Sequence, residues 1–263
     1  MKMLMSVWTC RGFILASVKR EFQFKYQSAL LGPSWVLINP LAMILVYTVI
    51  FAQVMRAKLP GGDTAYAYSI HLCAGILTWG LFSEIVTRGQ NTFLENANLL
   101  KKINFPRVCL PIVVVLNAGV NFAVIFGLFA VFLLLTGNFP GWPFLALLPL
   151  LAILVFFAVG LGVTLGVLNV FFRDVGQFFG VFLQFWFWLT PIVYPLNVLP
   201  PTFRDFMVLN PMAPLMSGFQ TILVQGQWPQ WGTLIYPAIL AVLLCLQGMH
   251  LFRRHGVDVV DEL

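Results

Sequence analysis

The stretch from Phe144 to Phe172 reads FLALLPLLAILVFFAVGLGVTLGVLNVFF and contains no charged side chain. A helix needs about 20 apolar residues to cross the hydrocarbon core of a bilayer, so this stretch is long enough to span it once. The rest of the chain has the same character, because 60% of its 263 residues are hydrophobic and 9% are charged. A soluble domain carries roughly 25% charged residues. The chain is therefore predicted to be an all-α integral membrane protein.

Further apolar stretches, separated by short polar segments, predict six transmembrane helices in a single domain covering residues 1–263. The predicted spans are residues 35–54, 69–87, 108–136, 144–172, 178–194 and 234–252. Gly162 and Gly166 form a GxxxG pattern in the fourth span. Such a pattern lets helices approach closely, and it favours packing within one subunit over dimerisation.

Two segments are predicted to lie in or at the membrane without crossing it. Residues 1–33 mix apolar and basic side chains, which is typical of an amphipathic helix in the interface; a solvated N-terminal helix is the alternative. Residues 195–232 contain six prolines, and their apolar runs are too short to span. They are predicted to form re-entrant or interfacial helices, which must be buried in protein or line a water-filled cavity.

The net charge of +6 is interpreted as a signal of orientation in the membrane and of binding to anionic lipid headgroups. A nucleic-acid partner is not predicted. With six spans and both termini in the cytoplasm, the only basic residues on the external side are Arg56, Lys58 and Arg204. This distribution satisfies the positive-inside rule.

Several kinds of chemistry are missing from the sequence. The P-loop pattern GxxxxGK[ST] is absent, so the chain is not expected to bind ATP in that manner. His71, His250 and His255 are far apart, and the four cysteines have no paired spacing, so no catalytic, metal or disulfide site is predicted. The span centres lack the ionisable residues of an ion-coupled carrier, although unwound backbone could still bind sodium. A transporter of this kind must take its energy from a partner.

A few polar residues inside or beside the spans are informative. Glu84 and Arg88 have the i,i+4 spacing that favours an ion pair on one helix face. Asn117 and Asn121 lie one turn apart in the third span. Because an asparagine in hydrocarbon seeks a hydrogen-bond partner, their face is predicted to point into the protein.

The fifth span, FFGVFLQFWFWLTPIVY at residues 178–194, is rich in aromatic side chains. Aromatic faces can stack on sugar rings while excluding ions, so this span predicts part of a carbohydrate conduit. Bulky lipid-facing residues with interfacial anchors are the alternative interpretation. The candidate channel residues here are Phe178, Phe182, Phe185 and Trp186, and Gln184 adds a hydrogen-bonding group.

Five segments together resemble the membrane subunit of ABC-2-type transporters, in particular the permeases that export lipid-linked polysaccharides such as O-antigen. They are KYQSALLGPSWVLINP at residues 25–40, ENANLLKKINFPR at 95–107, FRD at 172–174, TPIVYP at 190–195 and LNPMAP at 209–214. The resemblance extends over nearly the whole chain, and the order and spacing of the segments are specific.

The resemblance implies a homodimer with two copies of a separate cytoplasmic ATPase, which would hold ATP and Mg, so that this chain itself carries no cofactor. Residues 89–107 would be the segment that docks on the ATPase, with candidate contacts at Phe93, Leu94, Asn98, Leu99, Leu100 and Lys101. Residues 195–232 would form an external gate. Spans one and five would line the path, which adds Trp35 to the channel residues.

The resulting hypothesis is ATP-driven export of a polyprenyl-pyrophosphate-linked polysaccharide across a bacterial inner (cytoplasmic) membrane. Lys19, Arg20 and Lys25 are candidates for binding the pyrophosphate at the cytoplasmic rim. The alternatives are a capsule, teichoic-acid or drug exporter of the same family, an intramembrane lipid-modifying enzyme that uses residues 195–232, and a passive channel.

Overall fold

The computed structural model describes residues 11–26, 34–50, 66–102 and 109–254, and within these ranges the chain contains no β-strand. The α-helices are α1 (Arg11–Tyr26), α2 (Trp35–Tyr47), α3 (Ala67–Glu95), α4 (Ala97–Lys102), α5 (Cys109–Leu135), α6 (Leu147–Phe171), α7 (Asp174–Leu189), α8 (Pro201–Met207), α9 (Met212–Gln220) and α10 (Trp231–Arg254). Short 3-10 helices occupy Trp142–Ala146 and Leu196–Val198, and a π-helical turn occupies Thr221–Gln225. The all-α prediction is confirmed.

Four helical units of the described ranges are long and apolar enough to cross a bilayer: α3, α5, α10 and the unit Trp142–Phe171 that contains α6. The chain is therefore a multi-pass membrane protein. The predicted count of six spans is not established. Helix α7 has 16 residues, which is about 24 Å at 1.5 Å per residue, against a hydrocarbon core of about 30 Å. The helix that begins at Trp35 is described as far as Ile50.

Helix α3 is the centre of the bundle. It packs against α2, α5, α6, α7 and α9. In its most apolar stretch of 18 residues 72% is buried, whereas the corresponding share is 22% in α5 and in α10. Helix α6 lies beside it, between α3 and α10. The two outer helices expose most of their apolar side chains, as expected for surfaces that face lipid.

Glycines on α6 permit this close packing. A β-carbon on Gly166 would lie 2.7 Å from the carbonyl oxygen of Gly89 in α3. On another face of α6, a β-carbon on Gly160 would lie 2.5 Å from the backbone nitrogen of Cys245 in α10. The GxxxG pattern at Gly162 and Gly166 thus packs inside one subunit, as predicted.

The N-terminal helix α1 packs on α5. Its Ile14 is buried, whereas Leu15 is 65% exposed and Glu21 lies toward the neighbouring helices. Helix α1 therefore differs from a simple amphipathic helix, because its packed side carries the carboxylate of Glu21, which pairs with a cationic side chain of the bundle. Residues 1–10 and 27–33 of the predicted N-terminal segment, and the side chain of Lys25, lie outside the described residues.

Helix α3 continues eight residues beyond the predicted end of its span at Thr87, so the segment predicted at 89–107 begins as a continuation of that helix. A turn at Asn96 separates it from the short helix α4. Residues 103–107 lie outside the described residues, as does most of the loop predicted before the second span.

The region predicted as re-entrant contains short helices, as expected from its prolines. Helix α8 and the helical unit Met212–Gln225 meet at 102°, which is the geometry of a re-entrant loop or of a broken span. Met212, Leu215 and Phe219 of α9 are buried, so α9 lies inside protein, whereas α8 has no buried residue. That this region is re-entrant stays a prediction.

Candidate functional site

Arg88 lies at the centre of a group of polar side chains that joins α1, α3 and α5. Its guanidinium donates to Glu84 one turn earlier, at 3.4 Å, and to Glu21 of α1. Asn121 donates to the other oxygen of Glu84 at 3.0 Å, and Asn117 donates to Glu21. We call these five residues the Arg88 cluster. The predicted Glu84–Arg88 pair and the inward orientation of both asparagines are confirmed.

Sequence reasoning missed Glu21 as a member of this cluster. It is the only acidic residue in the otherwise basic helix α1. A lone carboxylate in such a helix is a weak signal, because nothing in the local sequence identifies its partner. In the structure it connects the N-terminal helix to the central helix α3 through Arg88.

A cavity of about 400 Å³ lies beside the cluster, between α1, the end of α3 and the start of α5. Arg20, Glu21, Arg88 and Glu95 supply its charged walls. Two carboxylates offset the two cations, so this cavity is a poor electrostatic match for a pyrophosphate. Lys19 is exposed and does not line the cavity. The structure therefore does not bring Lys19 and Arg20 together in one anion site.

The residues predicted to contact an ATPase fall into two sets. Phe93 is 1% exposed and stacks on Phe252 of α10 with ring centroids 5.5 Å apart, and Leu100 is also buried. Leu94 and Leu99 are partly buried and pack against the apolar group that Phe93 and Leu100 form with side chains of α5 and α6, whereas Asn98 and Lys101 are exposed. The prediction that Phe93 and Leu100 contact the ATPase is corrected, since their buried side chains anchor the segment to its own subunit.

Asn169 forms a buried link between α3, α6 and α7 that the sequence analysis did not find. Its side chain is 2% exposed and donates to the carbonyl oxygen of Gln90 at 3.1 Å and to Oδ1 of Asn91 at 3.3 Å. It accepts a hydrogen bond from the backbone N–H of Gly176 at 2.9 Å. The short connection at Arg173 and Asp174 is thereby fixed beside the central helix.

Replacing Asn169 with leucine should therefore destabilise the protein. The substitution keeps the approximate volume but removes the acceptor of the partly buried Gly176 N–H and the donor to the carbonyl oxygen of Gln90, which together cost about 2 kcal/mol. For a chain of this size the loss corresponds to roughly 4–8 °C in the unfolding temperature. Thermal unfolding of the detergent-purified protein measures it. Asn98→Leu, at an exposed position, is the matched control, and an unchanged temperature in Asn169→Leu would show that the link is dispensable.

The predicted channel residues of α7 lie on different faces. Phe178 and Phe185 are 72% and 66% exposed, and Phe182 and Gln184 are also exposed, as is Trp35 on α2. Trp186 is an exception, because its ring packs edge-on against Phe82 with centroids 5.4 Å apart. Its Nε1 donates to Oδ1 of Asn210 at 2.9 Å. Trp186 thus belongs to the packed face of α7 rather than to the exposed one.

Asn210 joins the end of α7 to the region of short helices. Besides accepting from Trp186, it donates to Oγ1 of Thr190 at 3.1 Å and to the carbonyl oxygen of Leu189 at 3.2 Å. Its Oδ1 also accepts from the backbone N–H of Met212 at 3.0 Å. The segments TPIVYP and LNPMAP, which are separate in sequence, therefore form one hydrogen-bonded unit.

Comparison with known proteins identifies the family. The ABC-2 type transporter family model matches residues 13–224. The O-antigen export system permease protein RfbA of Myxococcus xanthus is 30% identical over 100% of this chain and 99% of its own length. A protein of the same name from Klebsiella pneumoniae is 28% identical, over 92% of this chain and 91% of its own. The polysialic acid transport protein KpsM of Escherichia coli is 20% identical, over 89% and 90%.

The family match begins within α1 and ends within the π-helical turn, so it contains the Arg88 cluster, Asn169 and Asn210. These contacts therefore lie within the part of the chain that the family model matches. They connect its N-terminal helix to the central helix, and α7 to the central helix and to the region of short helices. With the family model matching most of its length, this chain is a membrane permease of the ABC-2 type transporter family.

Proposed function

We propose that this chain is the membrane subunit of an exporter that moves a lipid-linked polysaccharide, such as an O-antigen, across the inner membrane of a bacterium. The observation that carries the proposal is the full-length similarity to O-antigen export permeases. Two copies of the chain would form the translocation path, and both termini would lie in the cytoplasm.

Energy for export would come from two copies of a separate ABC ATPase. The sequence has no P-loop of its own, so ATP and Mg would be bound by that partner. The role of this chain is then mechanical. It accepts movement from the partner on one side of the membrane and changes the arrangement of its spans.

The corner between α3 and α4 suits this role. Phe93 and Leu100 anchor the corner to α6 and α10, while Asn98 and Lys101 face outward. A force on the exposed residues would therefore be transmitted to α3 as a rigid body, and α3 contacts most other helices of the bundle. The Arg88 cluster would carry the same movement to α1.

The exposed faces of α2 and α7 would line the path in the dimer. Phe178, Phe182, Phe185 and Trp35 offer aromatic faces for sugar rings, and Gln184 offers a carboxamide. Trp186 would support this wall from behind through its contact with Asn210. A path with such walls is apolar enough to exclude ions while a glycan passes.

Lys101→Glu should weaken docking of the ATPase. Reversing an exposed charge at an interface weakens binding, and we expect the apparent affinity of the permease for the ATPase to fall roughly 5- to 10-fold. ATP hydrolysis by the reconstituted complex, titrated with the ATPase subunit, measures the effect, and the permease alone should hydrolyse no ATP. Lys101→Arg keeps the cation and is the matched control. Equal titration curves for Lys101→Glu and the unmodified chain would contradict the docking role.

A capsule polysaccharide exporter is the second candidate. The similarity to the polysialic acid transport protein favours it, although that similarity is weaker than the one to the O-antigen permeases. Deleting the permease from its own host separates the two. The glycan that accumulates in the cytoplasm, identified by its sugar composition and its lipid anchor, is the cargo.

A further inference from the structure

A cavity of about 860 Å³ lies between α8, α9 and the start of α10. Helix α10 has 24 residues, about 36 Å, and its far end carries Phe252, which stacks on Phe93. The cavity and the proposed ATPase-docking corner are therefore at opposite ends of the bundle. If α4 faces the cytoplasm, this cavity opens on the external side.

Most polar side chains in the walls of this cavity are uncharged. Gln225, Gln227 and Gln230 each contribute a carboxamide, which donates and accepts hydrogen bonds, and hydroxyl groups come from Ser217 and Thr221. Within the ranges that the structure describes, none of the three glutamine side chains has a hydrogen-bond partner. These groups are therefore available to a ligand that carries many hydroxyl groups.

Aromatic rings complete the walls. Trp228 is 55% exposed and Tyr236 is 45% exposed, and both line the cavity. A pyranose ring has hydroxyl groups around its edge and C–H groups on its faces, so it needs amides at its rim and flat apolar rings against its face. The volume lies within the usual range of ligand pockets, about 300–1,000 Å³.

The local backbone builds this arrangement. The π-helical turn Thr221–Gln225 ends α9, and Gly226 follows with φ of 62°, in the left-handed region. Glycine adopts this conformation without the strain that a β-carbon adds. The turn brings the chain back across the end of α9, which lets residues 225–230 form one wall. Single π-helical turns occur frequently at functional sites.

We propose that this cavity is a glycan subsite, which holds one or two neutral sugar units of the exported chain on the external side of the membrane. The proposal rests on the proposed function, since it assumes a glycan cargo. An acyl chain could use none of the hydrogen-bonding groups of the three carboxamides, whereas the hydroxyl groups of a sugar can. Among the residues that the structure describes, Arg204 is the only charged side chain lining the cavity, and one of its N–H groups donates to the carbonyl oxygen of Leu199 at 3.1 Å. A single cation without a second basic group beside it is a weaker match for a phosphate headgroup than a cluster of Arg or Lys side chains.

Site-specific photocrosslinking tests the proposal in cells that make the glycan and contain the whole exporter. A photoreactive amino acid is placed at Gln227, inside the cavity, and at Trp231, which is 48% exposed but does not line it. A third variant carries it at Phe185, on the proposed channel wall. We expect a high-mass ladder that stains for periodate-oxidised sugar from the Gln227 and Phe185 variants and none from Trp231.

The outcomes separate this inference from the proposed function. A ladder from Phe185 without one from Gln227 would overturn the glycan subsite and leave glycan export intact. No ladder from any position, in a complex that contains its ATPase, would overturn glycan export itself and this inference with it. An adduct at Gln227 that contains phosphorus and lipid but no sugar would identify a lipid site and overturn the proposal.

Export rates provide a second readout. Trp228→Leu should lower the rate at limiting glycan roughly three- to tenfold, because it removes the stacking contact. Trp228→Phe keeps an aromatic face and should retain most of the rate, and Trp231→Leu should match the unmodified chain. Equal losses in Trp228→Leu and Trp231→Leu would assign both rings to membrane anchoring instead.

Discussion

Replacing Gly160 with alanine is expected to leave almost no folded permease in the membrane. The new β-carbon would lie 2.5 Å from the backbone nitrogen of Cys245 and 2.6 Å from the carbonyl carbon of Leu244. Backbone atoms cannot rotate away as a flexible side chain can, so α6 and α10 would have to separate. We expect a loss of about 3 kcal/mol, and a drop of about tenfold in the protein recovered as a single peak on size-exclusion chromatography.

Two glycines of α5 provide matched controls. A β-carbon on Gly119 or Gly127 would meet no atom within 4 Å. Alanine favours the helix over glycine, so Gly119→Ala and Gly127→Ala should be recovered at least as well as the unmodified chain. Normal recovery of Gly160→Ala would mean that α6 and α10 are not packed as closely as described.

Replacing Arg88 with methionine is expected to reduce coupled export strongly. Glu21 and Glu84 would lose their shared cation and would repel each other across the contact between α1 and α3. The side chain of Arg88 is 32% exposed and that of Glu21 is 43% exposed, so solvent moderates the loss, which we expect to be about 2 kcal/mol. Because α1 would no longer follow α3, export should fall more than tenfold, on the order expected for this free energy.

Two comparisons show whether the effect comes from the Arg88 cluster. Arg254→Met removes an exposed cation outside both the cluster and the segments that resemble the family, and it should export normally. The double variant Glu21→Gln with Arg88→Met relieves the repulsion, so it should recover thermal stability but not export. Export at the normal rate by Arg88→Met would mean that the link between α1 and α3 takes no part in coupling.

Span positions could be predicted where hydrophobic length was the only determinant. Residues 108–136 and 144–172 were predicted as spans, and α5 and α6 occupy Cys109–Leu135 and Leu147–Phe171. The fifth span was predicted to reach Tyr194, but α7 ends at Leu189. Pro191 has no backbone N–H with which to continue the helix. A pattern of apolar residues does not register a missing hydrogen-bond donor, so it placed the end of the span too late.

The site was predictable only where its contacts are local. Glu84 and Arg88 are one turn apart on the same helix, so their pairing follows from spacing alone. The partner of Arg88 in α1 is far away in the sequence, and so are the partners of Asn169 in α3 and the partners of Asn210 at the end of α7. Trp186 was predicted as a channel residue together with Phe185, because the spacing of aromatic residues does not say which face of a helix is packed.

Hydropathy and motif order by themselves determined the membrane class, the family resemblance and the positions of the longest spans. Transfer of an apolar helix into lipid depends on its own composition, so neighbouring helices were not needed for that prediction. The tertiary structure decided that Arg88 meets Glu21, that Phe93 is an anchor, and that residues 225–230 line a cavity. In a bilayer the lipid is as apolar as the helices, so their association depends on shape and on hydrogen bonds between particular faces, and those faces are known only once the helices are packed.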